Sequence, residues 1–200
     1  MKLRKENKIR RIKGYDYAKN GTYFVTLRTQ KRIFYFGEIV NSKMELSDVG
    51  KIATKCWKQI PEHFPFVVLD EFVVMPNHVH GIIIINKKDL NCFNSQQTYV
   101  SAQNLAHLHK FVEPDFKDLK TYQNKFGSQS RNLSSIIRGY KVGVTKHART
   151  NNLDFFWQPR FHDRIIRNEN ELSGIRQYIK NNPKNWELDR NNEQNSINKN

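Results

Sequence analysis

Long apolar runs are missing from this chain of 200 residues. The four isoleucines at 82–85 form as long a run as it has, against the ~20 residues a membrane-spanning helix needs. A membrane span is therefore not expected. The basic stretch 1–13 is followed by no apolar segment, which argues against a secretory signal. Cysteine is nearly absent. Cys56 and Cys92 stand apart, with neither a disulfide framework nor zinc-ligand spacing. Both read as buried or incidental thiols in a reducing compartment, and the expected location is the cytoplasm. Acid is scarce as well. Nineteen Asp and Glu face 34 Lys and Arg, a formal charge of +15. That excess is beyond what solubility requires and calls for a polyanionic partner. With no apolar anchor, nucleic acid fits better than a membrane.

What is present is concentrated in a few segments. Residues 71–85 read Glu-Phe-Val-Val-Met-Pro-Asn-His-Val-His-Gly-Ile-Ile-Ile-Ile. The apolar part can be only a buried strand. Side chains alternate along a strand, so His78 and His80 share one face while Val79 enters a core on the other. Two imidazoles on one rigid face make a bidentate metal site, or else a pair of surface histidines at a strand start. His107-Leu108-His109 repeats the spacing without an apolar run to bury it. In a helix its rings would splay about 200° apart, so it is set aside.

The remaining pattern is mixed. Residues 22–29 read as a strand, and 33–46 as short strands turning near Asn41-Ser42. Ser47 caps a helix that Pro61 is expected to end. Residues 66–85 form a hairpin broken at Pro76-Asn77. Residues 133–149 form a helix with a stripe of Leu133, Ile136, Ile137, Tyr140 and Val144. Another of its faces carries Arg138, Lys141, Thr145 and Arg149 with no acid between them, which suits phosphate contacts. Arg10 and Arg11 belong to a basic arm, residues 1–13, with the same expectation. A strand with turns spans 155–167. Asn168 and Glu171 then open a last helix, closed by Asn181-Asn182-Pro183. Residues 86–131 are polar and weakly periodic, an insertion or linker in a domain of 14–187. Residues 188–200 read as a polar tail.

The last helix carries Tyr178 about 90° from its apolar stripe of Leu172, Ile175 and Ile179. A phenol there is anchored yet can reach a cleft. Taken alone it is as well explained by a ring that packs and a hydroxyl that meets water.

Five linked motifs settle on one resemblance. They are Phe72-Val73-Val74-Met75-Pro76-Asn77-His78-Val79-His80-Gly81, Ser135-Ile136-Ile137-Arg138-Gly139-Tyr140-Lys141, Trp157-Gln158, Ile165-Ile166-Arg167-Asn168-Glu169, and Ile175-Arg176-Gln177-Tyr178-Ile179-Lys180-Asn181-Asn182-Pro183. Lys13-Gly14-Tyr15-Asp16-Tyr17 fits as well. From about residue 10 to 187 the chain resembles the single-tyrosine HUH transposases of bacterial insertion sequences, and most closely their REP-associated branch. Tyr140 departs from the pattern, standing where Phe is expected.

The resemblance implies an α+β fold, a ferredoxin-like antiparallel sheet with helices packed on one face. It implies His78 and His80 as metal ligands assisted by Asn182, Mg2+ or Mn2+ as cofactor, and Tyr178 as nucleophile. The implied activity is cleavage and transfer of hairpin-bearing single-stranded DNA through a 5′-phosphotyrosyl link, in enzymes that act as homodimers, some with the tyrosine supplied across the interface. Two other readings compete. One is a host-adapted hairpin-binding protein with weak or no catalysis. The other is a metal-dependent hydrolase or RNA-binding module whose histidine pair matches by accident.

Overall fold

The computed structural model describes residues 12, 15–87, 131–189, 191 and 192. The arm except Ile12, the segment 88–130 with His107 and His109, and most of the tail lie outside the described residues, as do Arg10 and Arg11.

Strands β1 (Gly21–Arg28), β4 (Val67–Met75), β5 (His78–Ile85) and β6 (His162–Ile166) form one antiparallel sheet in the order β4-β5-β1-β6. Between β1 and β4 come a two-stranded ribbon, β2 (Gly37–Val40) and β3 (Lys43–Leu46), then α1 (Asp48–Lys58) and α2 (Ile60–His63). Helix α3 (Leu133–Thr150) joins β5 to β6, and α4 (Glu169–Asn181) follows β6. Without the ribbon and α2, the path is βαββαβ with two crossovers around a central pair, which is the ferredoxin-like arrangement expected from the sequence.

Local chemistry explains the boundaries. Asn41 and Ser42 both take positive φ, the geometry of a tight hairpin turn between twisted strands. Ser47 Oγ accepts from Gly50 N at the start of α1, and Asn168 Oδ1 accepts from Glu171 N at the start of α4. Glu171 returns a bond to Arg167 N rather than to the cap itself. Helix α1 stops at Lys58, earlier than expected. Pro61 instead occupies the first turn of α2, where a missing N–H costs nothing.

The two faces of the sheet bury different things. Tyr23, Val25 and Leu27 of β1 and Val79, Ile83 and Ile85 of β5 pack with Trp57 of α1 and Ile136, Tyr140 and Val144 of α3. Gly81 shares that face because Trp57 lies against it: a Cβ there would sit 2.2 Å from the indole. On the other face Ile82, Ile84 and Ile166 pack with Leu172 and Ile179 of α4, flanked by Phe24, Val68, Val73 and Ile175. Thus α1 and α3 share one face, as expected for the helices, while α4 covers the opposite one. The chain also stays folded beyond residue 187. A 3-10 turn at Trp186–Leu188 leads into Asn191 and Asn192, both buried, where a polar tail was expected.

Candidate active site

Strand alternation delivers both histidines to the α4 face. His78 and His80 are fully buried, with ring centroids 4.4 Å apart. The tautomer of His78 follows from its neighbour. Asn77 Nδ2 donates to the carbonyls of Arg32 and Asn191, so its Oδ1 is turned to His78 Nδ1 at 2.8 Å and can only accept. His78 therefore carries its proton on Nδ1 and a lone pair on Nε2. His80 Nδ1 lies 2.9 Å from Oγ1 of Thr26, the residue directly opposite it on β1, and its Nε2 faces Tyr178 of α4. Such a bond to the far nitrogen is how proteins orient metal-binding imidazoles.

A third donor comes from a residue expected in the tail. Asp189 Oδ2 lies 4.0 Å from His78 Nε2, and ligand atoms of His78, His80 and Asp189 all fall within 4.8 Å of one another. This group could hold a metal ion. The C-terminal segment is brought there by Asn191, whose carbonyl takes the Asn77 bond, and by Trp186, whose ring lies 6.0 Å from that of His78. Sequence reasoning missed Asp189 because no periodicity or motif marks residues 186–192. The one available signal was Trp186 with Leu188, two apolar residues in an otherwise polar stretch.

Tyr178 stands at the edge of α4, 45% exposed. Its Oη is 3.2 Å from His80 Nε2, and its ring meets His80 and Phe24 edge-on. One flank of the ring is thus fixed while the hydroxyl borders both the histidine pair and solvent. Asn182 caps α4 and is buried, and its Oδ1 makes no hydrogen bond among the described residues. Tyr140, the rival phenol, is in the core. Its hydroxyl donates to Ala53 O, and burial holds it well above the ordinary phenol range.

The basic residues of α3 are not at this site. The helix packs on the far face of the sheet, where Arg138 and Arg149 are exposed. Lys141 is turned inward. Its Nζ donates to the carbonyls of Gln158 and Arg160 beside the Trp157 ring, and burial lowers its pKa to about 8.

No protein-family model matches the chain. It is 38% identical over 181 residues to an uncharacterized protein of Haemophilus influenzae, covering 90% of this chain and 89% of that protein. It is 24% identical over 168 residues to a second protein of the same organism, named a candidate REP-associated tyrosine transposase, covering 84% of this chain and 73% of that one. Among solved structures, a REP-associated tyrosine transposase bound to a REP hairpin aligns with a TM-score of 0.49 at 20% identity, over 84% of this chain and 69% of the other. A candidate transposase of Deinococcus radiodurans aligns with a TM-score of 0.41 at 14% identity, over 84% and 95%. The chain belongs to one family with the first of these relatives, and over most of its length it is similar to the second, the candidate REP-associated tyrosine transposase.

Proposed function

We propose that this protein is a metal-dependent endonuclease and strand transferase acting on hairpin-bearing single-stranded DNA, with Tyr178 as nucleophile and His78 and His80 as metal ligands. The observation that carries the reading is the meeting of Tyr178 Oη and His80 Nε2 at 3.2 Å, next to a second imidazole and a carboxylate.

The donor set fits a divalent cation. Two imidazoles and one carboxylate make a mixed N/O donor set suited to Mn2+, or to Mg2+ with oxygen ligands from the DNA, and the buried, unpartnered Asn182 Oδ1 on the tyrosine's helix is the proposed further oxygen donor. When bound, the ion would polarise the scissile phosphate and offset its charge. The chain supplies the rest. Thr26 and Asn77 hold the two rings, and Phe24 holds the phenol against rotation. Tyr178 Oη forms the bond to phosphorus as the P–O3′ bond breaks, and the phenolic proton ends on the departing 3′-hydroxyl. The 5′-phosphotyrosyl bond keeps the energy of the cleaved link, so a later 3′-hydroxyl rejoins the strand by the reverse exchange. His80 and Tyr178 meet within one chain, which favours a site assembled in cis and asks no second subunit for the tyrosine.

The substrate class is supported by the likeness to a candidate REP-associated tyrosine transposase and by the charge of +15. No helix among the described residues is long and apolar enough to cross a membrane, and the cytoplasm remains the proposed location. Arg138 and Arg149 are proposed phosphate contacts on the outer side of the fold, Arg10 and Arg11 on the arm, whereas Lys141 is a tether between α3 and the loop before β6. Arg138→Ala with Arg149→Ala should reduce the salt dependence of DNA binding by about 0.7 in log–log slope per lost contact. Lys141→Ala should instead lower the melting temperature and leave that slope alone. A slope unchanged in the double arginine variant would make the α3 face merely solvated.

Covalent trapping tests the whole reading. The protein is incubated with end-labelled single-stranded hairpin DNA and Mn2+, then run on a denaturing gel. A labelled band at the protein's mass plus the DNA fragment is the expected result. Hairpin binding without an adduct would favour the non-catalytic binding protein, and loss of both would remove hairpin DNA as the substrate.

A further inference from the structure

Strand β4 departs from regular pairing at one place. Its register with β5 shifts between Leu69 and Phe72, so an extra residue is inserted where Asp70 and Glu71 stand. In a regular strand two adjacent side chains point to opposite faces. The bulge re-aims them, and both acids reach α4. Asp70 takes Arg176 through two parallel bonds, Nε to Oδ1 at 2.9 Å and Nη2 to Oδ2 at 2.5 Å. Glu71 pairs with Lys180 at 2.9 Å. The Asp70 carboxylate is 3% exposed, so its pairing is shielded from solvent, unlike most surface ion pairs.

The placement of these pairs on α4 has a geometric consequence. At 100° per residue, Arg176 and Lys180 lie about 65° and 105° to one side of the centre of the Leu172–Ile175–Ile179 stripe, and Tyr178 lies about 95° to the other. The stripe rests on Ile82, Ile84 and Ile166 through apolar contact, which is non-directional and resists rolling weakly. A roll of α4 that lifts the Arg176 flank lowers the Tyr178 flank. At the ~5–6 Å outer radius of a helix, a 10° roll moves a side-chain tip by about 1 Å. A misplacement of that size can cost ~100-fold in rate.

We propose that the paired acids of the β4 bulge, Asp70 above all, fix the roll of α4 through Arg176 and Lys180 and so set the height of the Tyr178 hydroxyl over His80. Asp70 and Arg176 are then positioning residues: they are bonded to each other and act across the width of the helix. The proposal rests on Tyr178 being the nucleophile.

Single-turnover adduct formation separates the two. Full-length protein, Mn2+ and labelled hairpin DNA are used throughout, with hairpin affinity and melting temperature measured alongside. Asp70→Asn should slow adduct formation at saturating DNA by ten-fold or more while hairpin affinity stays within two-fold. Arg176→Lys keeps the charge and the stem but loses the fork, so it should show a smaller slowing of the same kind. Glu71→Gln with Lys180→Gln removes the more exposed pair and should slow it less than Asp70→Asn. If Asp70→Asn does not fold, Arg176→Lys decides in its place. Adduct rates within two-fold of wild type in the folded variants would overturn the positioning role. Absence of adduct in the wild type would instead overturn the nucleophile reading beneath it.

Discussion

Tyr178→Phe should abolish the protein–DNA adduct, and with it both cleavage and rejoining, while hairpin binding and metal binding should stay within about two-fold of wild type. The substitution removes one oxygen. The Phe ring keeps the edge contacts with Phe24 and His80, and the helix keeps its propensity and charge. What is lost is the only atom of residue 178 that can attack phosphorus. Its removal takes one hydrogen-bond partner from the buried His80 Nε2 and should cost about 1–3 kcal/mol of stability, which leaves the protein folded. Tyr140→Phe is the control. Its hydroxyl is enclosed between α1 and α3, donates to Ala53 O and is held firmly protonated, so no phosphate reaches it. That variant should keep wild-type adduct formation and lose only ~1 kcal/mol of stability. An adduct still formed by Tyr178→Phe and lost in Tyr140→Phe would exchange the two roles. If neither change affects the adduct, the nucleophile is some other residue.

The contrast between these phenols also marks how far the sequence could be read. The stripe positions of α3 put Tyr140 inward, and the helical angle put Tyr178 at an edge; both were legible because helical periodicity is a local property. The strand face of His78 and His80 was legible for the same reason. The side of the sheet that α4 would cover was not. Residues 172, 175 and 179 say that α4 has an apolar face, but only the partition of the isoleucines, 83 and 85 to one side and 82 and 84 to the other, says that both sides of β5 need a cover. Asp189 and the Asp70–Arg176 pair were unreadable in a stronger sense. Each acts across a long stretch of chain, 111 residues from His78 to Asp189 and 106 from Asp70 to Arg176. Charge pairing at that separation has no sequence period to betray it. The bulge that aims Asp70 sits between runs that are apolar throughout, Val67 to Leu69 and Phe72 to Met75, so no break in an alternating pattern marks it.

The second large effect is expected at the cation-binding group. His80→Ala or His78→Ala should lower Mn2+ affinity by at least ~100-fold, read by isothermal titration or by the loss of free-ion signal in electron paramagnetic resonance, with hairpin binding preserved. The floor comes from the neighbours of such ligands: removing a residue that merely orients a metal-bound histidine costs ~10–100-fold, and Thr26→Val, which deletes the bond to His80 Nδ1, should fall in that range. A ligand itself must cost more. The same titration ranks the third donor. Asp189 brings a full negative charge to within 4.0 Å of His78 Nε2, whereas Asn182 offers a neutral amide oxygen. Toward a dication the carboxylate is the stronger donor. Asp189→Asn should therefore weaken Mn2+ binding more than Asn182→Ala does, and both should weaken it less than loss of a histidine. His107→Ala with His109→Ala should leave the titration unchanged. If Asn182→Ala proves the more damaging, Asp189 is a neighbour that holds the C-terminal segment in place, and the amide on the tyrosine's helix is the third ligand. If neither histidine variant alters the affinity, His78 and His80 do not bind the ion and the metal reading fails at its first two residues.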